Sequence, residues 1–346
     1  MQEQQNNTAK RIVLASILIA AAAFLIFANR EIRRGVTYSF EEPQVNILAD
    51  SDAQSDVDRT PLSSIEEQED LNHVIHLTVG GNCTPAAVLG TNSFGSFNRM
   101  AEEDGAHVFF ADLNEVFAED DLTVLGCAAV LSDSEIYYED SASDELPYIG
   151  PLKNAHVFSS GGEKILSLEH ERCKLLGEIG VSETKNAVES AGFYSVDSEN
   201  AVFFEKYGVT VGVLSAAIPP HADVSVLTES VTSAAEACDY LILYAERYEA
   251  EENYYISLAK TFVDAGCELV CYTGYTDGTE PEILAYNNGV IVDSLGYLLD
   301  GSTYEGADTA LYCLSLSVNE GVLEKTEGAL VPVTYGENPW IPLLKK

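Results

Sequence analysis

From His73 onward, short apolar runs alternate with stretches of helical period, and that alternation restricts the fold more than any other feature of the chain. Val74 to Val79 reads as a strand closed by Gly80-Gly81, Phe109 to Phe117 as a helix, and Leu122 to Leu125 as a second strand. Ala201 to Phe204 and Val209 to Leu214, joined through the Lys206-Tyr207-Gly208 turn, predict a hairpin. Val231 to Cys238 and Tyr254 to Ala265 predict helices, each leading into a buried run, Tyr240 to Tyr244 and Cys267 to Tyr272. Gly289 to Asp293 and Leu311 to Leu316 predict further strands. Strands interleaved with helices and hairpins predict a layered α/β domain with mixed sheets. Functional groups in such folds gather just past the carboxyl ends of strands. That singles out Asn82, Gly126, Ala245 to Glu249, Thr273 to Thr276 and the loop around His170.

Ahead of this domain lie two segments of different character. Ile12 to Ala28 is an unbroken apolar stretch with one Ser, long enough for an α-helix to cross a bilayer core, and it predicts a transmembrane helix at 12–28 after a short segment, 1–11. It runs into Arg30, Arg33 and Arg34 without a small-residue cleavage site, which predicts an uncleaved anchor. Lys10 and Arg11 precede it, so charge bias alone favours the opposite orientation to the one adopted below. Residues 29–72 carry Asp50, Asp52, Asp56, Asp58, Glu66, Glu67, Glu69 and Asp70 with few aromatics, and read as an acidic, disordered linker to a folded domain at 73–346.

The formal charge of -38 generates a field that repels phosphate backbones and anionic lipid surfaces, so nucleic-acid binding is excluded. A solvated acidic surface is the plain reading; cationic partners and divalent cations are the others. Cys83, Cys127, Cys173, Cys238, Cys267, Cys271 and Cys313 are scattered through apolar runs and read as buried small hydrophobes. Cys267 and Cys271 have no second pair nearby to complete a zinc site.

Several loops carry a resemblance. Val79-Gly-Gly-Asn-Cys-Thr84 is similar to the first motif, Val-Gly-Asp-Cys-Thr, of the CapA family of capsule and poly-γ-glutamate synthesis proteins, whose domain belongs with the calcineurin-like metallophosphoesterases. Phe110 to Phe117 and Asp120 to Val124 resemble the approach to its Asn-Leu-Glu motif, and Gly177 to Gly192 the helix after its Asn-Asn-His motif. Leu258 to Gly266, Glu268 to Val270 and Asp293-Ser-Leu-Gly-Tyr297 follow in order, over roughly residues 73 to 342. The resemblance implies an αββα metallophosphoesterase-like sandwich, held outside the cell membrane by the single-pass helix.

The ligand positions of that family are not kept. A two-metal phosphoesterase needs carboxylate, amide and imidazole groups converging on two cations. The family's first Asp falls on Asn82, its Asn-Leu-Glu on Gly126-Cys127-Ala128, and its Asn-Asn-His on His170-Glu171-Arg172. The following Asp falls on Leu175, the His-Trp-Gly on Ala245-Glu246-Arg247 with Glu249 as the retained acid, and the histidine cluster on Tyr272 to Thr276. The resemblance minus its ligands implies a non-catalytic, membrane-anchored protein of capsule, poly-γ-glutamate or other envelope-polymer assembly, with polymer or capsule-synthesis proteins as partners and no cofactor. The remnant cleft is then Asn82, Gly126, His170, Glu171, Arg172, Ala245, Glu249, Thr273 and Thr276. The alternative is a metal-dependent hydrolase or transferase on an envelope phosphoester or γ-glutamyl polymer, rebuilt from Asn82, His170, Glu171 and Glu249, with a divalent metal as cofactor.

Taken singly, these residues also have plainer readings. His170 reads as a solvated loop histidine, and Glu246, Glu249, Glu251 and Glu252 as a solvated helix start. Tyr244, Tyr248, Tyr272, Tyr275 and Tyr297 read as fillers of the vacated metal cavity, and Trp340 as packed back on the domain.

Overall fold

The computed structural model describes residues 72–88, 96–133, 147–250, 253–274, 280–301 and 308–345, all within one compact unit, Glu67–Lys346. The predicted membrane helix and nearly all of the linker lie outside the described residues. Among the described residues no helix is long and apolar enough to cross a membrane.

The strands are β1 (Asn72–Cys83), β2 (Ala87–Val88), β3 (Leu122–Cys127), β4 (Val130–Leu131), β5 (Tyr148–Gly150), β6 (Glu163–Ser167), β7 (Tyr194–Val196), β8 (Val202–Lys206) and β9 (Val209–Ile218). They continue with β10 (Tyr240–Arg247), β11 (Leu269–Gly274), β12 (Glu282–Tyr286), β13 (Gly289–Asp293), β14 (Tyr297–Leu299), β15 (Asp308–Asn319), β16 (Val322–Tyr335) and β17 (Pro342–Leu344). The α-helices are α1 (Phe97–Glu103), α2 (Asn114–Phe117), α3 (Glu171–Lys174), α4 (Gly177–Ser190), α5 (Ser225–Ala235) and α6 (Tyr254–Asp264).

Among the described residues two large mixed sheets form. One has eight strands in the order β17-β16-β15-β1-β3-β6-β7, with β14 also on β1; the other has six, β12-β13-β11-β10-β9-β8. The first is parallel over β1-β3-β6-β7 and antiparallel over β15, β16 and β17; the second is parallel over β9-β10-β11-β13 with β8 and β12 added as antiparallel hairpin edges. Three cores account for the layering. Ile75, Leu77, Val79 and Val124 of the first sheet meet Val213, Ile242, Tyr244 and Cys271 of the second. On the outer face of the first sheet Phe97, Phe109, Phe117, Phe158, Val188 and Trp340 pack under helices and 3-10 turns. On the outer face of the second, Leu241, Leu243 and Tyr272 pack against Val231, Ala259 and Phe262 of α5 and α6. The period of two along β10, with Ile242 and Tyr244 inward and Leu241, Leu243 and Ala245 outward, is what a strand buried on both faces requires.

The expected α/β class with mixed sheets is present, and the structure corrects several boundaries. Gly80-Gly81 does not end β1. The pairing register of β1 with β3 shifts between Val79 and Asn82, and the strand runs on to Cys83. A side chain at Gly81 would strike the carbonyls of Leu295 and Gly296, so glycine here permits the close backbone approach that carries the bulge. The helix expected over Phe109 to Phe117 is broken into 3-10 turns at Ala106–Val108 and Ala111–Leu113 followed by α2, which still stacks Phe109, Leu113 and Phe117 on one buried side. The helix expected at Val231 to Cys238 begins earlier, at Ser225, where the Asp223 carboxylate accepts the Ser225 N–H at 3.0 Å. Trp340 is 8% exposed and meets Phe97 edge-on, as expected. Five of the cysteines are buried, whereas Cys238 and Cys313 are only partly so.

Candidate functional site

The carboxyl ends of β1, β3, β10 and β11 meet in a buried polar cluster whose centre is Glu246. By the alternation of β10, Glu246 shares the inward face of Ile242 and Tyr244, and it is only 5% exposed. Asn82 reaches the same face because the β1 bulge shifts the register by one residue. Asn82 Nδ2 donates to Glu246 Oε2 at 2.5 Å, Thr273 Oγ1 donates to the same oxygen at 3.1 Å, and Tyr244 Oη donates to Asn82 Oδ1 at 3.3 Å. Gly126 lies against this knot: a Cβ there would overlap Asn82 Oδ1 and come 2.7 Å from Tyr244 Oη. A Cβ at Gly274, just past Thr273, would likewise overlap Glu246 Oε1.

His170 closes the cluster from α3. It is 2% exposed, and its Nδ1 accepts the Arg172 backbone N–H at 3.1 Å, capping the short helix. The proton of the neutral ring is therefore on Nε2, which lies 2.9 Å from Tyr297 Oη and 3.3 Å from Glu246 Oε1. Burial, with help from Arg172 and Lys174, pushes the His170 imidazole down to about 3, so this contact is a neutral N–H facing a carboxyl group and not an ion pair. Burial also pushes the Glu246 carboxyl up to about 7, against the opposing bonds from Asn82 and Thr273. Arg172 extends the polar surface outward. Its guanidinium donates to Thr84 Oγ1 at 2.9 Å and Asp300 Oδ1 at 2.5 Å, and lies over the Tyr148 and Tyr297 rings at 4.2 and 5.3 Å. On the far side, Arg247 bonds Asp293 at 2.6 Å and Ser294 at 3.0 Å.

Of the expected cleft residues, the structure brings together Asn82, Gly126, His170 and Thr273, with Arg172 beside them. Ala245 does not join, because strand parity turns its side chain into the outer core. Glu171 and Glu249 are exposed; Glu171 stands near enough for its charge to help raise Glu246. Thr276 and Tyr275 lie outside the described residues. The solvated-histidine reading of His170 is overturned by its burial, and the helix-start reading of Glu246 by its place in β10. Tyr244 and Tyr297 do fill the cluster. Tyr272 faces α6 instead, donating to the Tyr255 carbonyl at 2.9 Å. Glu246 falls in the stretch singled out at the end of β10, yet sequence reasoning left it out of the cleft; the signal for it was its position two and four residues beyond Tyr244 and Ile242 in an apolar strand.

The donor set does not fit a pair of transition-metal ions. Among the described residues, the imidazole of the cluster turns its protonated nitrogen inward while its lone pair accepts a backbone N–H, and Glu246 alone brings a carboxyl group into the cluster. A buried carboxyl with an elevated pKa leaves a signature in stability. Its folded-state value lies above the unfolded one, so its contribution is fully present below about pH 4.5 and is lost as pH rises toward about 7. Stability is therefore expected to fall across that window by up to about 1.4 kcal/mol per pH unit from this group alone. Urea denaturation of the wild type and of Glu246→Gln at pH 5 and pH 7 measures it, and an unchanged pH slope in Glu246→Gln would contradict the assignment.

No protein-family model and no curated protein matches this sequence. Among solved structures the chain is similar to a hypothetical protein from Thermus thermophilus, at 11% identity, over 74% of this chain and 98% of that one, with a TM-score of 0.42. A likeness of that size carries no argument about the site.

Proposed function

We propose that this protein is a degenerate, CapA-like metallophosphoesterase relative with αββα layering, anchored by the helix at 12–28, which acts without catalysis in the assembly of capsule, poly-γ-glutamate or another cell-envelope polymer. One observation carries the non-catalytic part: the polar groups at the strands' carboxyl ends are spent on one another, with Glu246 taken by Asn82 and Thr273 and faced by the protonated nitrogen of His170. The three cores about two mixed sheets support the layering. The motif resemblance over residues 73 to 342 supports the link to envelope polymers. In this reading Tyr148, Tyr297 and Arg172 form the wall a polymer would meet outside the knot.

A second reading has one observation in its favour. A carboxyl group raised to about 7 beside a neutral histidine has the properties of a general acid or base near neutral pH. It would make the protein a hydrolase or transferase on the same polymers, with Glu246 in the role sequence reasoning gave to Glu171 or Glu249. Titrating the purified full chain with manganese and zinc, with a phosphodiester turnover assay on the same sample, separates the two. Neither stoichiometric metal nor turnover is expected. Turnover abolished by Glu246→Gln would replace the first reading with the second.

A further inference from the structure

Arg172 is held as a fork with one edge open. Both hydrogens of its Nη1 are taken, one by Thr84 Oγ1 at 2.9 Å and one by Asp300 Oδ1 at 2.5 Å. A guanidinium carries five N–H donors, so those on Nε and Nη2 remain, and no partner meets them among the described residues. None of them is sealed from solvent, and 16% of the side chain is exposed. The plane of the group is fixed all the same. The Tyr148 ring lies 4.2 Å from Cζ and the Tyr297 ring 5.3 Å, and Tyr297 is itself tied to His170 Nε2 at 2.9 Å. An arginine set in this way by Thr84, Asp300 and two rings has little freedom left to lose on meeting a ligand.

We infer that this open edge is a binding site for a carboxylate, an inference that rests on reading the Arg172–Tyr297 wall as the surface that meets a ligand. Nε and Nη2 present two parallel N–H groups whose spacing matches the two oxygens of a carboxylate. A phosphate offers the same pair of oxygens, but its second charge is penalised further by a chain of net charge -38. The charges nearby leave room for one negative group. Asp300 sits on Nη1, off the open edge, and Lys174 is paired with Glu169 at 2.6 Å. Glu171, exposed on the same short helix, is the carboxylate that opposes the ligand, and water screens it. The knot around Glu246 takes no part in the contact, so the site needs no catalysis to be useful.

The full chain carrying isotope-labelled arginine, titrated with glutarate at pH 7 and constant ionic strength, tests this. The Arg172 Nε–H resonance, identified by its loss in Arg172→Lys, is expected to shift to saturation. Equilibrium dialysis of the same acid should show about a tenfold loss of affinity in Arg172→Lys, which keeps the charge beside Asp300 and removes the fork. No shift in the wild type overturns the inference, whether or not the variant folds. Equal binding of glutarate by the variant overturns it too, as does tighter binding of inorganic phosphate. A γ-linked glutamate oligomer and a neutral oligosaccharide in the same dialysis keep the two readings apart. Glutarate bound without the oligomer upholds the carboxylate site and removes the poly-γ-glutamate reading. Oligosaccharide bound in place of glutarate overturns the carboxylate site and leaves the envelope-polymer reading standing.

Discussion

Glu246→Ala is expected to lower the free energy of unfolding by about 3 kcal/mol at neutral pH, the effect of orphaning several buried donors at about 1 to 3 kcal/mol each. Asn82 Nδ2 and Thr273 Oγ1 would lose their common acceptor, and His170 Nε2 would keep only Tyr297. Relief from burying the carboxyl offsets part of the loss, which keeps the figure below the simple sum. Glu246→Gln, of the same shape, should cost about 1 kcal/mol, because its amide turns one donor toward groups that already donate. Denaturant melts of the two variants decide the matter. A loss well under 1 kcal/mol for Glu246→Ala would mean that water serves these groups and that the cluster is an open cleft.

Asp120→Ala should be more damaging still, at about 3 to 5 kcal/mol, because it strands the Lys164 ammonium in the interior and removes the acceptor of Thr78 and Thr123. Lys164→Met alone should also destabilise, by about 1 to 3 kcal/mol, because it leaves the buried Asp120 carboxylate without its cation, while Thr78 and Thr123 still donate to it. The informative variant combines them. With no ammonium left to strand, the double substitution should lose at least 1 kcal/mol less than Asp120→Ala by itself, a coupling that a double-mutant cycle reads directly. Additive losses would mean that the two groups do not sense each other through Thr123.

The strands of the domain were legible wherever an apolar run was long enough to be unmistakable. Tyr240 to Tyr244, Gly289 to Asp293 and the hairpin at Tyr207-Gly208, whose φ values of 51 and 80 fit a two-residue turn, are where the pattern put them. β16 was not legible, because Glu324, Lys325, Thr326 and Glu327 give its solvent-exposed first half the composition of a loop. The turn at Glu320-Gly321, with φ of 50 and 79, pairing to β15, and Leu323 packed on the core between the sheets hold that half in place. Local composition also hid Glu246, whose acidic neighbours Glu249, Glu251 and Glu252 suggested a solvated run. His170 was named as a cleft residue, but its burial was hidden, because it depends on Glu246 and Tyr297, which are distant in sequence. Asn82, Gly126 and Thr273 were visible because they follow recognisable strands, yet their mutual contact depends on a bulge of one residue at Gly80-Gly81.

β1 separates two unlike ends of the domain. The strand runs from Asn72 to deliver Asn82 to the Glu246 knot, a rise of about 30 Å at roughly 3.3 Å per residue. Asn72 and the Arg172–Tyr297 wall therefore stand at opposite ends of one strand, and a change at either end is felt by the other only through the packing along its length.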